Sequence, residues 1–86
     1  MRDISNSRTE KAIRNEINQT CKRISRLCDE IDSLRARCYW YRHRKEICNL
    51  EEAKERIEWR VVKLRKAINR MNKLGRELNE ILHKAD

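Results

Sequence analysis

From Leu50 to Leu82, apolar residues return at the steps of one side of an α-helix: Leu50, Ile57, Val61, Leu64, Ile68, Met71, Leu78 and Leu82. Almost opposite lie Arg56, Lys63, Lys66, Arg70 and Lys73, with Trp59 on the same outer stripe. The N-terminal half carries a second seam. Ile17, Ile24, Ile31 and Cys38 occupy its a positions, and Ile13, Thr20, Leu27, Leu34 and Tyr41 its d positions. Thr20 is the one interruption.

The two seams do not share a register. Carried past Tyr41, the first would bring Lys45, Glu52, Glu55, Lys66, Lys73 and Glu80 inside. The second instead sets Ile47, Val61, Ile68 and Leu82 at a, and Leu50, Ile57, Leu64, Met71 and Leu78 at d. Continuous coiled coils absorb insertions of three or four residues, whereas these registers differ by two. A turn accommodates that slip better than one bent continuous helix. Ser7-Arg8-Thr9-Glu10 reads as a capping box, and Asn49 followed by Glu52 repeats the cap-and-acid signature. The pattern therefore predicts one domain over residues 1–86, with a helix at 8–42, a turn at 43–49 and a helix at 50–84. Lys54 and Gly75 are flaws in the second seam. Leu74, Leu78 and Ile81 keep phase across Gly75, which favours one helix with a soft spot over a break.

The expected fold is all-α: an antiparallel helical hairpin, coiled-coil-like. Each seam is wider than a two-helix contact needs, since Cys21 and Cys28 add e positions and Ala53, Ala67, Leu74 and Ile81 add g positions. Two such helices bury little apolar surface alone, so two hairpins are expected to dimerise into a four-helix bundle.

Composition agrees. Of 86 residues 42% are charged, with no Pro, no Phe and one Gly, a profile of long helices rather than of an ordinary globular domain. Sustained seams set the chain apart from disordered sequences of similar charge. Met1 to Asn6 has no apolar core of the signal-peptide kind, and no stretch approaches membrane-spanning length, so a soluble cytoplasmic protein is expected, without membrane partners.

The four cysteines suggest a disulfide framework or a metal site first. Cys21 and Cys28 lie about 10.5 Å apart along a helix, beyond the roughly 4.4 to 6.8 Å of a disulfide. Cys38, His43 and Cys48 cluster near the turn but lack the close Cys-x-x-Cys pair of structural zinc sites. Reduced cysteines serving as small buried hydrophobes at Cys21, Cys28 and Cys38 is the preferred reading, with no metal and no cofactor. His43 and His83 are far apart, and no nucleophile–base pair or Gly-rich phosphate loop is present. An enzyme is not expected.

The net charge is +8, and its distribution matters more than its size. With a turn centred near residue 46, Arg35 and Arg37 should face Glu55 and Glu58, and Asp29, Glu30 and Asp32 should face Arg60 and Lys63. Those regions neutralise themselves. No acid lies between Glu58 and Glu77, where Lys63, Lys66, Arg70 and Lys73 occur; across the hairpin sit Arg14, Lys22, Arg23 and Arg26, with only Glu16 against them. A dense belt of this kind attracts polyanions, and Trp59 beside it can stack on bases or anchor a protein interface. At the tip, Tyr39 and Trp40 point outward near Arg42, Arg44 and Lys45 and form a second candidate contact.

Two functions compete. One is a non-enzymatic binding module that engages nucleic-acid backbone, RNA or duplex DNA, through the belt. The other is a protein-interaction module (adaptor, assembly factor or small inhibitor) docked on an acidic protein surface through Trp59 or Trp40. A purely structural oligomerisation rod is the bland alternative, since charge runs are common on long helices.

Overall fold

Thr9 starts the first helix. Its backbone is extended, and its Oγ1 accepts the Ala12 amide at 3.1 Å, satisfying one of the orphan donors of a helix start. Helix α1 then runs Glu10–His43 and helix α2 Ile47–Lys84. The computed structural model describes residues 9–84, so Ser7 of the expected capping box lies outside the described residues. The expected start at residue 8 moves to Glu10 because Thr9 is the cap.

The turn is shorter than the sequence suggests and lies earlier. Lys45 sits in the left-handed region at φ 61. Its amide donates to the Arg42 carbonyl at 3.2 Å, and the Glu46 amide donates to the Tyr41 carbonyl at 2.8 Å. These two bonds are the Schellman pattern of a helix C-terminus. The Glu46 carbonyl then accepts the Leu50 amide at 3.0 Å, opening α2. The connection is Arg44, Lys45 and Glu46 rather than 43–49. Asn49, expected as a cap, is already inside α2.

Helix α1 meets α2 with the seam read from its sequence. Ile13, Leu27, Ile31 and Leu34 are buried, and Ile17, Thr20, Ile24, Cys38 and Tyr41 are half-buried. Thr20 is accommodated because its hydroxyl donates to the Glu16 carbonyl at 2.8 Å. Helix α2 is rotated from its expected seam. Its buried residues are Ala53, Ala67 and Leu74, all g positions. The d positions Leu50, Ile57, Leu64, Met71 and Leu78 are half-buried beside them. Small alanines at g let the helices approach closely. The a column is left outside: Ile47 is 68% exposed, Ile68 42% and Leu82 39%. Helix α2 continues through Gly75, as its phase predicts.

Two ion pairs fix how the helices are turned. Arg60 bonds Glu30 and Arg70 bonds Glu16. Both join g positions of α1 to g or c positions of α2, so these positions share one broad face of the hairpin. The e positions of α1 and the a positions of α2 therefore share the other. On that second face Cys21 and Cys28 are exposed, and Cys38 in the seam is half-buried. Within one hairpin, then, the expectation of buried cysteines fails for the first two. The whole is a ribbon of 64 × 19 × 14 Å with a radius of gyration of 19.0 Å, against about 12 Å for a globular chain of this length.

Candidate nucleic-acid interface

The belt residues divide according to which broad face they occupy. Arg23 and Arg26 of α1 and Lys63, Lys66 and Arg70 of α2 line one open groove with Thr20, Leu27, Glu30 and Ala67. Five bases share this lining with one acid. Arg23 is at a g position, Arg26 and Lys63 at c positions and Lys66 at f, so the helical period aims all four at one broad face. The floor is apolar, made by Leu27 and Ala67, while Glu30 is held by Arg60 and Glu16 by Arg70.

The expected facing of Glu30 and Arg60 is met, and Arg56 is bonded to Glu52 at 2.7 Å, yet cations still outnumber acids where the groove continues. Arg26 and Glu30 also line a second depression, with Asp29, Ser33, Leu34, Arg37, Arg56 and Arg60. Arg37 in turn borders a third beside Trp40, Tyr41 and Arg44. The result is a basic track from Arg70 to Arg44. Counted along α1 from Thr20, the track is roughly 36 Å long. Glu55 and Glu58, expected to offset Arg35 and Arg37, sit on the back of α2. Their level along the rod is close to the one expected, but their angle around the helix is not. Sequence reasoning read Arg37, Arg56 and Arg60 as stripe or ion-pairing residues and did not assign them to the groove. Their shared c and g positions were the available signal.

Trp59 does not join the groove. It is 63% exposed and shares a shallow surface with Glu51, Lys54, Glu55, Glu58 and Val62, three acids to one base. Lys22 is an exposed f position on the back of α1, and Lys73 is exposed at the f position one heptad beyond Lys66, outside the groove lining. At the tip, Tyr39 and Trp40 meet edge to face at 5.6 Å, and Tyr39 stacks on His43 at 6.1 Å with planes 9° apart. Trp40 is thus the tryptophan that borders the basic track, with Arg44 beside it. Arg42 lies at an e position toward the other face, and Lys45 at the apex of the turn.

Among the described residues, no group of three or more His, Cys, Asp or Glu side chains converges as a metal site. No helix among them is long and apolar enough to cross a membrane. Set against protein-family models, curated proteins and solved structures, the chain matches none.

Proposed function

We propose that this protein is a non-enzymatic binding module that grips nucleic-acid backbone through the basic face of its hairpin. Arg23, Arg26, Lys63 and Lys66 contact phosphates, and Arg37, Arg56 and Arg44 extend the grip toward the tip. The observation that carries the reading is the placement of five bases from two helices around one open groove. Phosphate contacts give affinity without sequence information, which suits a face made of long cations over a smooth apolar floor. The length of the track, roughly 36 Å, is close to one turn of B-form duplex. Two copies of the hairpin associate through their opposite faces into a four-helix bundle, leaving both basic faces outward.

The rival reading, an acidic protein surface docked through Trp59, loses its main residue because three carboxylates surround that ring. Like charges would meet across such an interface.

Fluorescence anisotropy with labelled duplex DNA, duplex RNA and single-stranded RNA at two salt concentrations tests the proposal. Four phosphate contacts predict a slope of log affinity on log salt of about −4 for duplex DNA. Lys63→Glu with Lys66→Glu should weaken binding on the order of 10- to 100-fold. These two positions are preferable to Arg70, whose reversal also breaks its bond to Glu16. Unchanged affinity in the double variant, or no binding at low salt, overturns the reading.

A further inference from the structure

The face opposite the basic track is lined by the positions that the hairpin itself leaves out. Helix α2 contributes its a column, Ile47, Lys54, Val61, Ile68, Gly75 and Leu82, and α1 contributes Cys21 and Cys28 between Arg14 and Arg35. Three of the four apolar a residues are exposed, and so are both cysteines. What suits this face to a second copy is the match of side chains when the column is reversed about a point between Leu64 and Arg65: apolar residues fall on apolar ones, and the one long cation falls on the glycine. Ile47 pairs with Leu82, Lys54 with Gly75, and Val61 with Ile68. Cys21 and Cys28 are centred between Ile24 and Ser25. Two bonds set the levels of the helices. Arg60 at Glu30 puts the centre of α1 about one residue to one side of that of α2, and Arg70 at Glu16 puts it about three residues to the other. The two centres therefore fall within roughly 1.5 to 4.5 Å of each other.

We infer that this face is built for a second copy of the same chain, turned about a two-fold axis that crosses the rod at its midpoint. This rests on the four-helix-bundle reading and names its pairing. Helix α1 lies antiparallel on α1 of the second copy, and α2 on α2. Cys21 then faces Cys28 of the second copy, and Val61 faces Ile68. The two flaws of the seam meet each other, since the Lys54 stem passes over the place where Gly75 has no side chain. The hairpin tips with Arg42, Arg44 and Lys45 go to opposite ends, which keeps like charge apart. Arg14, already bonded to Glu10 at 2.9 Å, lies opposite the second copy's Arg35. The envelope of this face, 64 × 19 Å, leaves room for the roughly 800 Å² per partner that a stable interface uses.

Two single-cysteine proteins test the pairing. One keeps Cys21 and carries Cys28→Ser, Cys38→Ser and Cys48→Ser; the other keeps Cys28 and carries Cys21→Ser with the same two distal changes. Each is refolded from urea alone, or both together, and treated with diamide, which takes two electrons and two protons from each pair of thiols that joins. A cross-linked dimer in the mixture, and in neither protein alone, is the expected result. Cross-linking of either protein with itself overturns the pairing, because it places like cysteines together. A dimer by sedimentation that never cross-links overturns it as well, because α1 then lies over α2 of the second copy. A monomer at micromolar concentration removes the interface altogether. None of these outcomes depends on nucleic acid, so anisotropy on the same proteins tells failure of the interface from failure of the binding reading.

Discussion

Arg60 reaches across the hairpin to Glu30, Nε to Oε1 at 2.8 Å, from a g position that elsewhere on α2 holds Ala53, Ala67, Leu74 or Ile81. The pair sits where the helices touch, yet the Arg60 side chain keeps 32% and the Glu30 side chain 41% of its surface in water. It adds little stability, and Glu30 is the one acid in the basic groove. Glu30→Gln is expected to lower stability by about 0.5–1 kcal/mol while raising duplex affinity roughly two- to fivefold. Thermal melts and anisotropy on the same sample check the two signs together.

Lys45 holds a left-handed backbone that glycine adopts without steric cost. Lys45→Gly should stabilise the hairpin by about 1 kcal/mol and leave the Schellman bonds in place. Urea denaturation at fixed protein concentration reads this out. A destabilised variant would mean that the Lys45 side chain makes a favourable contact of its own.

Gly75 is helical, and a Cβ built there meets nothing within 4 Å. Within one hairpin, Gly75→Ala removes the conformational freedom that glycine contributes to the unfolded chain, a gain of about 1 kcal/mol in a helix interior. For a domain of this size that corresponds to a rise in Tm of about 4–8 °C. A smaller gain in the dimer would report the contact of the new Cβ with the second copy's Lys54.

The tryptophans should separate cleanly. Trp40 borders the basic track, and Trp59 stands among carboxylates. Trp40→Ala is expected to weaken single-stranded RNA binding about tenfold, the scale of one lost base stack, and Trp59→Ala to leave it unchanged. The reverse order would move the interface to the back of α2.

Much of this was legible in the sequence, for physical reasons that also explain the misses. The α1 seam was read correctly because its large aliphatic side chains fill only a and d, and the e column adds no more than two cysteines between arginines, so one rotation buries it. The α2 stripe spans a, d and g, and periodicity cannot say which two of three columns meet a neighbour. The structure chose d and g, where alanines permit close packing, and the a column went to the opposite face. The turn was missed because its left-handed residue is Lys45, not the glycine that usually marks such a position. Charge neutralisation near the tip was expected from level alone. Glu55 and Glu58 are nearly at the right height, but they point away from Arg37, and height without angle does not make an ion pair.

The three-residue connection also sets how the molecule folds. Closing so small a loop costs little chain entropy, so the first turns on either side of Lys45 can meet before anything else does. Each later layer is brought into reach by the one before, as teeth of a zipper are. Ile13 and Leu74, the most deeply buried side chains and far from the tip, therefore come together late. Amide exchange at their end reports the last step of assembly and the first of its undoing.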